Sequence, residues 1–295
     1  MTLREKIEYK NALLFVSPWL IGFFVFVAYP ILASLVLSFS EYSLLSRPLW
    51  VQFSNYVEIF QTPRAVRAII RTFLFALVAI PVSLAVSLTL AVLLERRARG
   101  IDTFRTMVFL PALVPQVAVA ALLLWIFAAD GIVNRVLVWI GLPDVRWISP
   151  DVILVTLLIA GVWTVGHAVV IFTAGLHDVP KELYESAEID GASYLQRVLR
   201  ISVPMISPVI LFNLVMGIIA ALGQFTIPYF ISSGNTQQEL GDSANFIAPE
   251  INLQAMRHLR MGYASALSWV LFIAVIALTA LVLKLSQRVV HYQGE

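Results

Sequence analysis

The residues best suited to chemistry lie in one acidic run. Residues 178–208 read DVPKELYESAEIDGASYLQRVLRISVPMISP, with Asp178, Glu182, Glu185, Glu188 and Asp190 set against a single Lys181. A charge run is commonly just a solvated face. Carboxylates at this density can also hold an arginine of another protein in a bidentate pair, and small Ser186 and Ala187 beside Glu185 let another surface approach. Pro180 is suited to open a helix there and Gly191 to end it. Tyr194, Leu195, Val198 and Leu199 then recur at the spacing of a second, amphipathic helix, which Pro204 is expected to limit. The pattern predicts a helix–glycine–helix hairpin with an acidic first arm, a docking lever rather than a catalytic centre.

Catalytic and metal chemistry find no support. His167, His177, His258 and His291 show no zinc-ligand spacing, and the chain contains no cysteine. Neither a G-x-S-x-G elbow nor a phosphate-cradling G-x-x-x-x-G-K-[ST] loop occurs. The reading is therefore a non-enzyme without cofactor or metal, whose energy comes from another chain. Gradient-driven transporters keep ionisable groups inside the bilayer. The apolar segments offer only His167, read first as a packing residue and second as a proton relay. A Na⁺-coupled carrier using backbone carbonyls would escape this test, and a membrane scaffold that moves nothing is a further alternative.

Two uncharged stripes could line a path. Ala160, Trp163, Thr164 and His167 share one face of a helix, and Asn213, Gly217, Ala220 and Gln224 form a comparable stripe, with Gln116 as a weaker addition. An aromatic plate with hydroxyl, amide and imidazole groups suits a neutral polyol or sugar. Small residues and interhelical hydrogen bonds are equally the normal packing of membrane helices. Both readings stay open on the sequence.

The elements that must position these residues follow from composition. At 60% hydrophobic and 13% charged, the 295-residue chain has too little polar surface for a water-facing globule. Its net charge of +2 gives no argument for nucleic acid. Charge-free stretches long enough to cross a bilayer run from Asn11 to Ser40, Thr72 to Leu94, Thr106 to Ala129, Val152 to His177, 208 to 231 and Met261 to Leu283. Six membrane helices are expected. Lys and Arg concentrate in the amino-terminal tail, the second and fourth loops and the carboxyl tail (Arg4, Lys6, Lys10, Arg96, Arg97, Arg99, Arg105, Lys181, Arg197, Arg200, Lys284, Arg288), so both termini are expected in the cytoplasm. The first stretch is too long for a signal peptide and shows no clear cleavage site. Pro18 and Pro30 are candidates to kink it. Trp50, Phe53, Tyr56 and Phe60 predict a short outer helix at headgroup level. The expected organisation is residues 1–66 for the tail, first helix and outer segment, 67–290 for a five-helix core with its cytoplasmic loop at 178–204, and 291–295 for a second tail.

The loop also carries a resemblance. Glu185-Ser186-Ala187, then Asp190-Gly191-Ala192, then Ile201-x-Val203-Pro204 resemble the EAA loop of permease subunits in binding-protein-dependent ABC importers, with Ser186 for the middle alanine and Val203 for leucine. Phe26, Tyr29–Pro30, Ser38–Phe39, Asn55–Tyr56, Phe109–Leu110–Pro111 and Gly262–Tyr263–Ala264–Ser265–Ala266–Leu267 are similar to the sugar-type subgroup of maltose and glycerol-3-phosphate permeases. Where that subgroup often shows T-x-GGP, this chain has Ser232–Ser233–Gly234–Asn235. The resemblance implies an all-α, six-helix, MetI-like fold of the type I importers in a bacterial or archaeal plasma membrane. It implies an ATP-binding subunit docked at Glu185, Ser186, Ala187, Asp190 and Gly191. It also implies a second permease subunit, expected to be a different chain, and an extracytoplasmic solute-binding protein. Membrane lipid surrounds the whole.

Overall fold

The computed structural model describes residues 3–95, 99–149, 151–234 and 244–287, with side chains from residue 8 onward and none at 232–234. Arg4, Lys6, Ser232 and Ser233 therefore enter only by their backbone. Arg96, Arg97, Asn235, Arg288, His291 and the expected tail at 291–295 lie outside the described residues. Internal contacts divide the chain into two compact units, Met1–Pro63 with Ile251–Val270, and Arg64–Glu250 with Leu271–Glu295.

In the first unit, α1 (Leu3–Phe23), a wide π turn (Phe24–Ala28) and α2 (Tyr29–Ser38) run on as one apolar helix, of which Glu8–Ser38 has the length and hydropathy of a span. Pro30 does not end it. A helical proline lacks an N–H and crowds the carbonyl four residues back. Here the preceding Tyr29 N–H instead reaches Phe24 O, five residues back, and the widened turn absorbs the fault. Strands β1 (Ser40–Glu41) and β2 (Leu49–Trp50) then pair antiparallel, Ser40 opposite Trp50, before α3 (Ser54–Gln61). The outer helix is thus shorter than expected, with Trp50 on a strand. Gln52 at φ 54 turns the chain into the left-handed region between the two elements, so no single helical stripe spans 50–60. Buried Asn55 donates to Ser38 O and Ser40 O, and the Tyr56 hydroxyl bonds Ser38 Oγ. Gly262 packs so closely on the Ser40 carbonyl that any Cβ would overlap it. The serine, Asn-Tyr and Gly-Tyr motifs are one clasp, brought together by tertiary contact.

The second unit holds α4 (Pro63–Leu94 for the whole helix), α5 (Ile101–Phe109), α6 (Gln116–Ile126), α7 (Ile132–Trp139), α8 (Ile153–Trp163) and α9 (Gly166–His177). There follow α10 (Lys181–Ile189), α11 (Tyr194–Arg197), α12 (Val203–Met205), α13 (Ser207–Leu222) and α14 (Thr226–Gly234). Helix α15 (Ile247–Asn252) runs out of this unit, and α16 (Met261–Ser286) runs into it. Among the described residues, four helices are long and apolar enough to cross a membrane: Glu8–Ser38, Pro63–Leu94, Ser207–Ile231, which is interrupted at 223–225, and Met261–Ser286. Two more candidates are bent pairs, Ile101–Leu113 with Gln116–Ile126 at 99° and Ile153–Trp163 with Gly166–His177 at 47°. Counting each pair as one span gives the six expected.

The bends have local causes. Val114 precedes Pro115, whose ring excludes the helical conformation at its neighbour, and Val114 is extended at ψ 131. Gly166 opens α9 where a Cβ would stand 2.8 Å from Val108 O and 3.0 Å from Phe109 Cα. The close crossing of α5 and α9 at that point requires a residue without a side chain. Phe75, Val119, Leu123, Phe127, Ile153, Leu157, Ile227 and Phe246 form one buried apolar core of this unit. Phe172, Leu176, Ala91, Val92 and Ile206 belong to a second. Pro204 limits the hairpin's second arm as expected, the helix ending one residue later at Met205. The Val203 N–H bonds Val198 O across a π turn (Val198–Ser202), the same accommodation as at Pro30.

Candidate functional site

Three core spans break at Val114–Pro115, Thr164–Val165 and Gly223–Phe225, and one cavity of the second unit touches all three breaks. Irregular backbone at membrane depth survives only where protein or a wet cavity satisfies it, and broken helices are where transporters build solute sites. The cavity measures about 300 Å³. Its polar side chains are Ser83 from α4, Gln116 at the start of α6, Thr164 and His167 about the break between α8 and α9, and Gln224 in the gap between α13 and α14. Phe75, Ile80, Pro111, Val119, Leu158 and Ile227 are among its apolar walls. No Asp, Glu, Lys or Arg stands among the described lining residues, and His167, edge-on to Phe109 at 5.6 Å, is the one titratable side chain there.

Of the eight residues expected along a path, Thr164, His167, Gly217, Ala220 and Gln224 line this cavity, as does Gln116. Three lie off it. Ala160 is buried in the apolar core, Trp163 is 41% exposed, and buried Asn213 donates to Val209 O of its own helix. For Ala160 and Trp163 the break after Trp163 is the reason, because 160–167 do not form one continuous helical face. The sequence reading missed the contribution of α4. Ser83, a polar residue two positions after Pro81 in an otherwise apolar run, was the available signal.

The acidic loop folds as the predicted hairpin. Helix α10 starts after Pro180 and ends in a Schellman turn: Ala192 N–H bonds Ala187 O at 2.9 Å and Gly191 N–H bonds Glu188 O at 3.1 Å. That closure needs a left-handed residue, and Gly191 sits at φ 77. Ser193 and Gln196 then form a reciprocal capping box that starts α11. Ala187 supplies the carbonyl that the turn after Gly191 closes upon. Glu185, Ser186, Asp190 and Gly191 are exposed and Ala187 is half-buried. Glu188 pairs with Arg197 of the second arm at 3.0 Å.

The base of the hairpin is tied down. The Tyr184 hydroxyl meets Ser202 Oγ at 2.9 Å, and Tyr194 donates to Val92 O at the end of α4 at 3.2 Å. Burial raises the Tyr184 pKa; the Ser202 bond lowers it in part and Glu95 adds to the rise. Burial likewise raises the Glu95 carboxyl above its usual range, partly offset by His177.

A helical membrane protein whose interrupted spans border a cavity with no Asp, Glu, Lys or Arg among its described lining residues, and which carries an exposed acidic helix at Lys181–Ile189, has parts suited to a transport channel. The chain belongs to the family of binding-protein-dependent transport system inner membrane components, whose model matches residues 56–291. It is a multi-pass membrane protein, the permease subunit of such an importer. Among its relatives, the probable ABC transporter permease protein YesP of Bacillus subtilis is 36% identical, covering 95% of this chain and 92% of that one. The lactose transport system permease protein LacF of Rhizobium radiobacter is 31% identical, covering 92% of each. A chain from the crystal structure of a bacterial alginate ABC transporter shares the fold, with TM-score 0.85, 23% identity and 97% of both chains covered.

Proposed function

We propose that this chain forms half of the path by which a sugar or related polyol enters the cell, driven by ATP hydrolysis on separate ATP-binding subunits. A second permease subunit completes the pore, and a solute-binding protein delivers to its outer face. Both termini lie in the cytoplasm of a bacterial or archaeal cell. The observation that carries the reading is the cavity: hydroxyl, amide and imidazole groups at three helix breaks, with no fixed charge. That lining matches a solute rich in hydroxyls and C–H faces, and a relative named for lactose supports the class. Glu185, Ser186, Ala187, Asp190 and Gly191 form the joint to the ATPase. Closure of the ATPase pair moves the two hairpins, and the spans turn this motion into alternating access.

The test is uptake of a panel of labelled sugars and polyols by cells lacking this chain and by cells complemented with it. Restored uptake of one or more is expected. Thr164→Val with Gln224→Leu should then raise KM for that solute with the protein still inserted. No solute restored, or an unchanged KM in the double variant, would overturn the solute assignment.

A further inference from the structure

The importer reading leaves open how motion at the hairpin reaches the cavity, and the second span is placed to carry it. One end of α4 holds the hairpin. Val92 O accepts from the Tyr194 hydroxyl, and Ala91, Val92 and Leu94 are buried in the cluster that Tyr184, Val198 and Ile201 of the hairpin pack upon. The middle of the same helix forms cavity wall, through Phe75, Ala79, Ile80, Val82 and Ser83. Pro81 lies inside that wall segment. Having no N–H, it cannot bond the Leu77 carbonyl, so the helix lacks a rung among its cavity-lining residues. Sharp bending in long helices concentrates at such points.

We infer that α4 is the lever between ATPase and solute, with Tyr194 the positioning residue that grips its inner end and Pro81 the point about which it flexes. This rests on the importer reading. A rod fixed to the hairpin by packing and a directional bond must follow it; a missing rung at the cavity lets the wall segment tilt while the ends of the helix stay intact. The other hairpin tie, Tyr184 to Ser202, joins the two arms to each other and so keeps the hairpin a single body.

This chain has no cysteine, so with partner subunits also freed of cysteine the labels report only the chosen positions. Spin labels at Ser83→Cys on α4 and Val162→Cys across the cavity report its width in the complex purified through a tag on this chain. Distances are compared with and without ATP and vanadate. The unaltered background should show an ATP-dependent change. Tyr194→Phe, which deletes one hydroxyl, and Pro81→Ala, which restores the rung, should each lose most of it while the ATPase still copurifies and hydrolyses ATP. An undiminished change in both variants overturns the lever. Should the label pair never move in the unaltered complex despite hydrolysis, the importer reading itself fails at this cavity, a separate result. Loss of the ATPase from the Tyr194→Phe complex would make that residue part of the docking joint and refute its role as a grip.

Discussion

Gly191 offers the sharpest test of the hairpin, because its environment separates backbone strain from crowding. Its φ is 77, and a Cβ built on it would meet nothing within 4 Å. In this chain alone, Gly191→Ala therefore costs only the left-handed conformation, roughly 1–2 kcal/mol for an L-residue. That amounts to a factor of about 5–30 in the population of hairpins holding the Schellman turn. Asparagine tolerates the left-handed region better than alanine, so Gly191→Asn should recover part of the loss despite its larger side chain. Gly191→Pro fixes φ near −65° and removes the N–H that bonds Glu188 O, costing about 3 kcal/mol or more. Uptake, and the amount of ATPase copurifying with the tagged chain, should fall in the order Gly, Asn, Ala, Pro, with equal amounts of chain in the membrane. Normal function in the proline variant would refute the hairpin's role. Alanine outperforming asparagine would show that contact with the docked partner, rather than φ, governs the position.

Asn55→Leu leaves the Ser38 and Ser40 carbonyls without their buried donor, and should cost about 1–3 kcal/mol, read as a lower Tm in detergent. Gly166→Ala places a Cβ 2.8 Å from Val108 O and should destabilise by about 1–3 kcal/mol by overpacking. Gly217→Ala, with its nearest neighbour at 3.6 Å, should leave the Tm unchanged or higher, so equal effects in the two variants would discredit the close crossing at Gly166. Glu95, with its pKa raised from 4.5, is favourable to the fold while protonated, and that contribution is lost as pH rises through its folded value. Glu95→Gln should therefore raise Tm at neutral pH, and the gain should vanish below pH 4.5; a gain that grows in acid would reverse the assigned cause.

How far these features could be read in advance depends on how local their causes are. The hairpin was legible because Pro180 and Gly191 each act within a few residues; the Ser193–Gln196 box, equally local, was not read. Span positions followed from charge spacing, since inserting an ion into lipid is costly wherever it falls. The breaks were not legible. Gly166 looks like any membrane glycine until Val108 and Phe109 are seen pressed against it, and Gln224 looks like one more helical residue until the chain opens around it. The stripe from Ala160 to His167 divides for this reason, with Thr164 and His167 on the cavity and Ala160 and Trp163 off it: a face defined by 3.6-residue periodicity is valid only while the helix is continuous. At Pro30 and Pro204 the preceding turns widen to a five-residue bond, and the second arm of the hairpin ends at Met205, one residue beyond Pro204.

These two kinds of irregularity divide the labour of the molecule. The π turns are repairs, each closing a bond that proline would have cost, and neither Pro30 nor Pro204 lines the cavity. The breaks at Val114, Thr164 and Gln224 interrupt the helices without such a turn, and all three residues line it. The backbone at the breaks stays bonded within the chain, the Val114, Thr164 and Gly223 N–H groups turning back to Pro111 O, Gly161 O and Ile219 O. On the proposed reading, the side chains of Gln116, Thr164 and Gln224 are then the groups that offer hydrogen bonds to a hydroxyl-bearing solute. They also do so without the desolvation penalty that a buried ion would carry. A path meant to release its cargo on each cycle is better served by several weak neutral partners than by one strong charged one, and the distribution of breaks and repairs in this chain follows that requirement.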